Sequence, residues 1–392
     1  MKKFKKVLII SISTIIVVCG GIVLFLQPVI AFGQFSPYAG DNRFEWKKPL
    51  YDATKKTVFI IADNKVTEMF DMLAPYYIFN ATGKLNVYIV AKEKAPVLIR
   101  KDLFILPQLT LKEADSLKLV AEVIVIPALS KRDEKQDPDI ISFIKNHFTP
   151  ATKLLAVCDG AATAAATGLF DGKPITCHAS DFKMVKSHFS KPEWVQDVSV
   201  AHSGNLYSTA GVSNAVEGSL MVINDLFGDQ SMREVAANIH YPHPEILTGH
   251  QSIAITFGNE FTIATKVIIQ QNRKLGMLLQ EGMNEFQMVS VLDTYVRTFP
   301  KSFKFFTLAG STVQTKYGLT LIHTDDNDPK NVDELHILMP GDHASVNSLN
   351  GDTKIIRYDL KNQYPIDVCL ARINELYGEK FKTVVKLMLD YN

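Results

Sequence analysis

At 392 residues, 47% of them hydrophobic and 10% aromatic, the chain carries enough apolar surface for two ordinary folded domains, which excludes a disordered polypeptide. Lys and Arg number 42 against 41 Asp and Glu, a net charge of +1, so there is no basic field for a phosphate backbone and nucleic acid is excluded as a partner. Of the four cysteines Cys19 lies in an apolar run, which leaves Cys158, Cys177 and Cys369: too few for a disulfide framework, and an odd set that leaves at least one free thiol.

The N-terminal "MKKFKK" is followed by an uncharged run over residues 7–26. At about 1.5 Å per residue this run spans roughly 30 Å, the thickness of a bilayer's hydrocarbon. Residues 1–27 are therefore expected to anchor the chain as a single-pass membrane helix, with the preceding lysines inside and the folded part extracytoplasmic. A cleaved secretory signal is the alternative, because Ala31 and Gly33 are small residues at the two positions a signal peptidase requires. Residues 28–55 lack sustained periodicity and read as a linker.

From Lys56 the pattern alternates. Short β-rich runs at 57–62, 86–91 and 121–128 enclose a helical spacing over 67–82. A helix over 141–148, a strand over 153–158, a helix over 160–170, a strand over 205–211 and a helix over 214–228 follow. Strands apolar on both faces, alternating with helices, predict an α/β fold: a flavodoxin-like doubly wound parallel sheet with helices on both faces.

Residues 274–299 run parallel to 56–79, 334–341 to 121–128, and "LARINELYG" (370–378) to "LMVINDLFG" (220–228), which indicates an internal duplication. Pro127 to Leu226 spans 99 positions whereas Pro340 to Leu376 spans 36, so the second copy lacks about 63 residues, those that hold Cys158 in the first. The expected organisation is a domain over 56–245, a connection over 246–273 and a truncated α/β repeat over 274–392. Gln287 lies over Asp71 in this alignment, so the second copy has lost both acid and thiol.

"LLAVCDGAATAAATG" (154–168) has the form of a strand, a nucleophile and a helix joined by a sharp turn. Gly160, Ala161 and Ala162 let the helix leave close to the strand, and Cys158 would then sit at a helix N-terminus that favours thiolate, with its pKa lowered toward 7. A buried structural cysteine is the plain alternative.

"VCDGAATAAATGLFDGKPITCH" followed by "YSTAGVSNAVEGSLMVINDLFG" resembles the DJ-1/PfpI superfamily, with the class I glutamine amidotransferase-like fold, closest to its isonitrile-hydratase-like and ThiJ-type branch. The resemblance implies Cys158 as nucleophile and Asp71, in "DMLAP", as its acidic partner, with Glu68 as the substitute one helical turn earlier. It also implies His178 as a histidine near the sulfur that serves as general base, and the N–H groups of Asp159 and Ala128 as oxyanion donors. Relatives carry Pro-Gly-Gly after the third strand where this chain has "PALSK", and family peptidases place His directly after the cysteine where this chain has Asp159, which argues against a peptidase. Relatives also form dimers near the cysteine, so the truncated copy is expected to complete a pseudo-dimer within the chain and to leave the fragment from Asp41 onward monomeric.

His240, His243 and His250 read as linker histidines, and neither metal nor cofactor is expected, since Walker A, Rossmann and CxxC patterns are all missing. The expected function is a cysteine-dependent hydrolase, lyase or hydratase acting on a small electrophilic molecule. The alternative is a non-enzymatic redox or ligand sensor.

Overall fold

A computed structural model describes residues 36–40, 44–47, 49–243, 250–270, 272–325, 328, 331–339 and 353–391. The apolar run at 7–26 and the cleavage motif at 31–33 lie outside these residues. Among the described residues no helix is long and apolar enough to cross a membrane.

The first part contains β1 (Lys56–Ala62), α1 (Met69–Ala81), β2 (Leu85–Ala91), β3 (Val97–Arg100), β4 (Leu103–Ile105), β5 (Leu109–Thr110), α2 (Leu111–Ser116), β6 (Ala121–Ile126), α3 (Pro138–His147), β7 (Lys153–Ala156), α4 (Gly160–Ala166), β8 (Pro174–Ile175), α5 (Phe182–His188), β9 (Glu193–Trp194), β10 (Val200–Ser203), β11 (Leu206–Thr209), α6 (Ala215–Phe227) and α7 (Asp229–Asn238). The second contains α8 (Phe257–Ile269), β12 (Lys274–Leu278), α9 (Glu285–Val296), β13 (Ser302–Phe306), β14 (Thr312–Gln314), β15 (Thr320–His323), β16 (Glu334–Ile337), β17 (Lys354–Arg357), α10 (Pro365–Tyr377) and α11 (Glu379–Leu389).

The main sheet has the order β10-β11-β7-β6-β1-β2-β5 and is parallel except for the antiparallel edge strand β10. Alternation along β1 sends Val58, Ile60 and Ala62 into one core and Phe59 and Ile61 into another. Both faces of the sheet are therefore covered by helices, as a continuous apolar strand requires. The α/β prediction is borne out.

A second, parallel sheet has the order β13-β12-β16-β17. The two parts are joined by a third sheet, β14-β15-β4-β3, in which the hairpin of each part pairs antiparallel with the other, Leu321 opposite Ile105 and His323 opposite Leu103. Helices α1 and α9 pack on one another, with the Phe70 and Phe286 rings 6.0 Å apart. One core runs through both parts, because α1 buries eleven of its thirteen residues and has a helix from the other part on one side.

Three local readings need correction. The 28–55 segment is not a bare linker where it is described: Tyr38, Phe44 and Trp46 pack on Leu98 and Phe104, since aromatic rings beside an apolar sheet face are better buried than hydrated. The 246–273 connection contains α8, begun by a Thr256 and Asn259 capping box. The helix expected over 160–170 ends at Ala166, where Thr167 turns its hydroxyl onto the Ala164 carbonyl and Gly168 takes φ +77°.

Candidate active site

Strand β7 ends at Ala156 and α4 starts at Gly160, so the chain reverses within three residues. Cys158 occupies the bend with φ +53°, a left-handed conformation that a side chain adopts only under constraint. The constraint is close packing on β6: a Cβ at Gly160 would lie 2.0 Å from the Ile126 carbonyl oxygen and 2.8 Å from that of Pro127. Val157 donates its N–H to Ile126 O at 2.9 Å, and Gly160 donates back to Val157 O at 2.8 Å. The Cys158 N–H reaches Thr209 Oγ1 at 3.3 Å. Cys158 is 5% exposed, at the floor of a cleft of about 970 Å³ lined also by Glu68, Arg100, Arg132, His178 and Arg297.

Asp71, wholly buried on the first turn of α1, accepts the Ala128 N–H on Oδ2 at 3.1 Å. Its Oδ1 has no hydrogen-bond partner. Burial, with Glu68 adding to it, holds the Asp71 carboxyl well above the ordinary range, which favours its protonated form. Glu68 caps α1 by accepting the Asp71 N–H at 2.7 Å, and burial raises it to about 7.

Residues 55–224 match the DJ-1/PfpI family, and the strained cysteine between β7 and α4 lies inside that match. The segment is similar to that family over this stretch, which is less than half of the chain. Isonitrile hydratase of Pseudomonas putida is 24% identical over 189 residues, 48% of this chain and 80% of that protein. Protein dj-1beta of Drosophila melanogaster is 25% identical over 141 residues, 36% of this chain and 73% of that one. Among solved structures, a cysteine-to-alanine mutant of a DJ-1 superfamily protein from Salmonella typhimurium superposes with a TM-score of 0.42 and 22% identity, covering 48% of this chain and 99% of that one.

The fold brings Cys158, Asp159, His178, Glu68 and Ala128 to one cleft, with Asp71 bonded to its Ala128 wall, but it alters three expected roles. The thiol is not lowered: burial pushes it well above its ordinary value and Asp71 and Asp159 push the same way, against which Arg132 is the opposing charge. Ala128 is not a free oxyanion donor, because its N–H is spent on Asp71. The Asp159 N–H, by contrast, donates to no group among the described residues. The Asp159 carboxylate is buried against Arg132 Nε at 2.8 Å, and burial nonetheless raises it to about 7.

His178 is the third. It lies beyond the two-residue strand β8, in irregular chain, and accepts the Ser180 N–H on Nδ1 at 3.2 Å. Burial lowers its pKa, so the ring is neutral and its proton must sit on Nε2, which has no partner. It faces the cleft as a hydrogen-bond donor rather than a base. Cys177 packs into the opposite core, and Cys158, Cys177 and Cys369 are all free.

The sequence reading missed the wall contributed by the second part. Arg297, at the end of α9, chelates Asp293 at 2.8 to 3.1 Å and approaches Glu68 Oε1 at 3.6 Å. Both Asp293 and Arg297 line the Cys158 cleft. The duplication places α9 over α1, which was the available signal, but nothing in "DTYVRTF" marks these two side chains as facing a cysteine some 140 positions earlier.

Proposed function

We propose that the Cys158 cleft is the active site of a hydratase that converts a small electrophilic carbon through a covalent cysteine adduct, with isonitriles as the substrate class. The observation that carries this is a strained, buried thiol in a cleft whose Ala128 wall is bonded to a buried carboxyl, Asp71, with one oxygen unpartnered. Asp71 gives its proton to the terminal isonitrile carbon as Cys158 Sγ bonds to it, and the thiol proton returns to the carboxylate. The resulting thioimidate adds water, its C–S bond breaks, and an N-substituted formamide leaves with the thiol restored. Negative charge at the substrate meets the Asp159 N–H and His178 Nε2–H.

A thiol that starts neutral suits this scheme, because it gives its proton to the Asp71 carboxylate as Asp71 protonates the substrate carbon. It does weigh against the redox-sensor reading, since oxidation proceeds through an accessible thiolate and Cys158 is 5% exposed. The test is incubation with a simple aliphatic isonitrile, following formamide release and trapping the adduct by intact mass. Turnover should vanish in Cys158→Ala and fall at least about a hundred-fold in Asp71→Asn. Failure to turn over isonitriles, aldehydes or amides by the folded wild type would overturn the proposal.

The same reading takes residues 274–392 as a truncated copy of 56–245 that acts as an intramolecular partner. The order β13-β12-β16-β17 repeating β2-β1-β6-β7, the paired hairpins and the Phe70 and Phe286 contact support it. The same reading takes the apolar run at 7–26 as an anchor and places both parts outside the cytoplasm.

A further inference from the structure

We propose that a second cleft, at the β5 edge of the main sheet, is a membrane-contact surface that seats on an anionic phospholipid bilayer. This rests on the reading of residues 7–26 as an anchor. The cleft has a volume of about 730 Å³ and is walled by Trp46, Tyr51, Tyr88, Leu109, Leu117 and Val120. Around it Leu50, Tyr51, Leu117 and Val120 are 94%, 57%, 49% and 75% exposed. Large apolar side chains gathered at one rim mark a contact surface, whereas scattered ones need no explanation.

The charges choose the occupant. The acids of the lining are already paired, Glu113 with Lys94 at 3.2 Å and Glu122 with Lys56 at 2.5 Å. Lys47, Lys55 and Lys118 line the same cleft and make no ion pair among the described residues. Apolar side chains ringed by unpaired lysines fit the boundary between headgroups and acyl chains, with the ammonium groups on anionic phosphates and carboxylates.

Chain reach is consistent with this. Tyr38 packs against Phe104 at 5.1 Å between ring centroids, which fastens the tether to the folded body twelve positions after Leu26. Twelve residues extend at most about 40 Å, which bounds the distance from Tyr38 to the end of the apolar run.

The test uses the full chain in vesicles of phosphatidylcholine, with or without phosphatidylserine, and with brominated acyl chains as quencher. The chain has two tryptophans, and comparing wild type with Trp46→Phe isolates the signal of Trp46 from that of Trp194. Trp46 should be quenched in the anionic vesicles. Each lysine beside an anionic surface is worth a factor of about five, so a Lys55→Glu, Lys118→Glu variant should lower the docked-to-free ratio by more than about thirty-fold. A chain that floats with the vesicles while Trp46 stays unquenched overturns the docking surface and leaves the anchor intact. A chain that does not float with them at all overturns both.

Discussion

Gly160→Ala is the most direct probe of the bend that presents Cys158. The new methyl carbon would be placed 2.0 Å from the Ile126 oxygen, a backbone atom that cannot rotate aside. Ordinary contact begins near 3.4 Å, so α4 must retreat from β6 by about 1.4 Å. That retreat pulls on the 2.9 Å bond from Val157 N–H to the same oxygen. Overpacking costs about 1–3 kcal/mol and an unmade buried backbone bond a similar amount, for a loss of about 4 kcal/mol. Gly83→Ala is the control: Gly83 has φ +67° but no atom within 4 Å of its Cβ position, so it should lose only about 1–2 kcal/mol of backbone strain. Urea unfolding followed by fluorescence measures both, and the rate of Cys158 alkylation reports whether the bend has opened. Equal midpoints for the two variants, with alkylation unchanged, would refute the claim that glycine is required because the bend is pressed on β6.

Two further outcomes are expected. Arg297→Ala leaves Asp293 buried without its partner and should cost about 3 kcal/mol or more in urea unfolding, most of it recovered when Asp293→Asn is added; a simple sum of the two losses would show that the pair is not coupled. Glu68 binds its proton more tightly folded than unfolded, so its contribution is present below about pH 4.5 and is lost as pH rises through about 7. Glu68→Gln should therefore flatten that decline by about 3 kcal/mol, and an unchanged slope of stability against pH would remove Glu68 as its source.

Local chemistry made much of the candidate site legible. The apolar strand ending at Cys158, the small residues after it and the acid at Asp71 are all short-range patterns, and each names a residue that the fold brings to the cleft or directly beneath it. Roles were less legible than positions. The helix N-terminus suggested a lowered thiol, but burial beside Asp71 and Asp159 outweighs a dipole that acts only over the first turn. The sequence offers Ala128 as a donor, yet whether its N–H is free depends on a carboxyl 57 positions away. The sequence offers His178 as a base, yet its tautomer is set by the Ser180 amide.

The sequence by itself determined five strands of the main sheet, because continuous apolar runs and helical spacing are written within a dozen residues, and it determined which glycine and cysteine form the bend. Only the tertiary structure decided what surrounds the sulfur. Arg297 and Asp293 reach the cleft because two antiparallel hairpins pair and α9 packs on α1, and the energy of those contacts comes from apolar area shared between distant parts of the chain. Proton affinities in the cleft follow from that burial, and no local pattern encodes it.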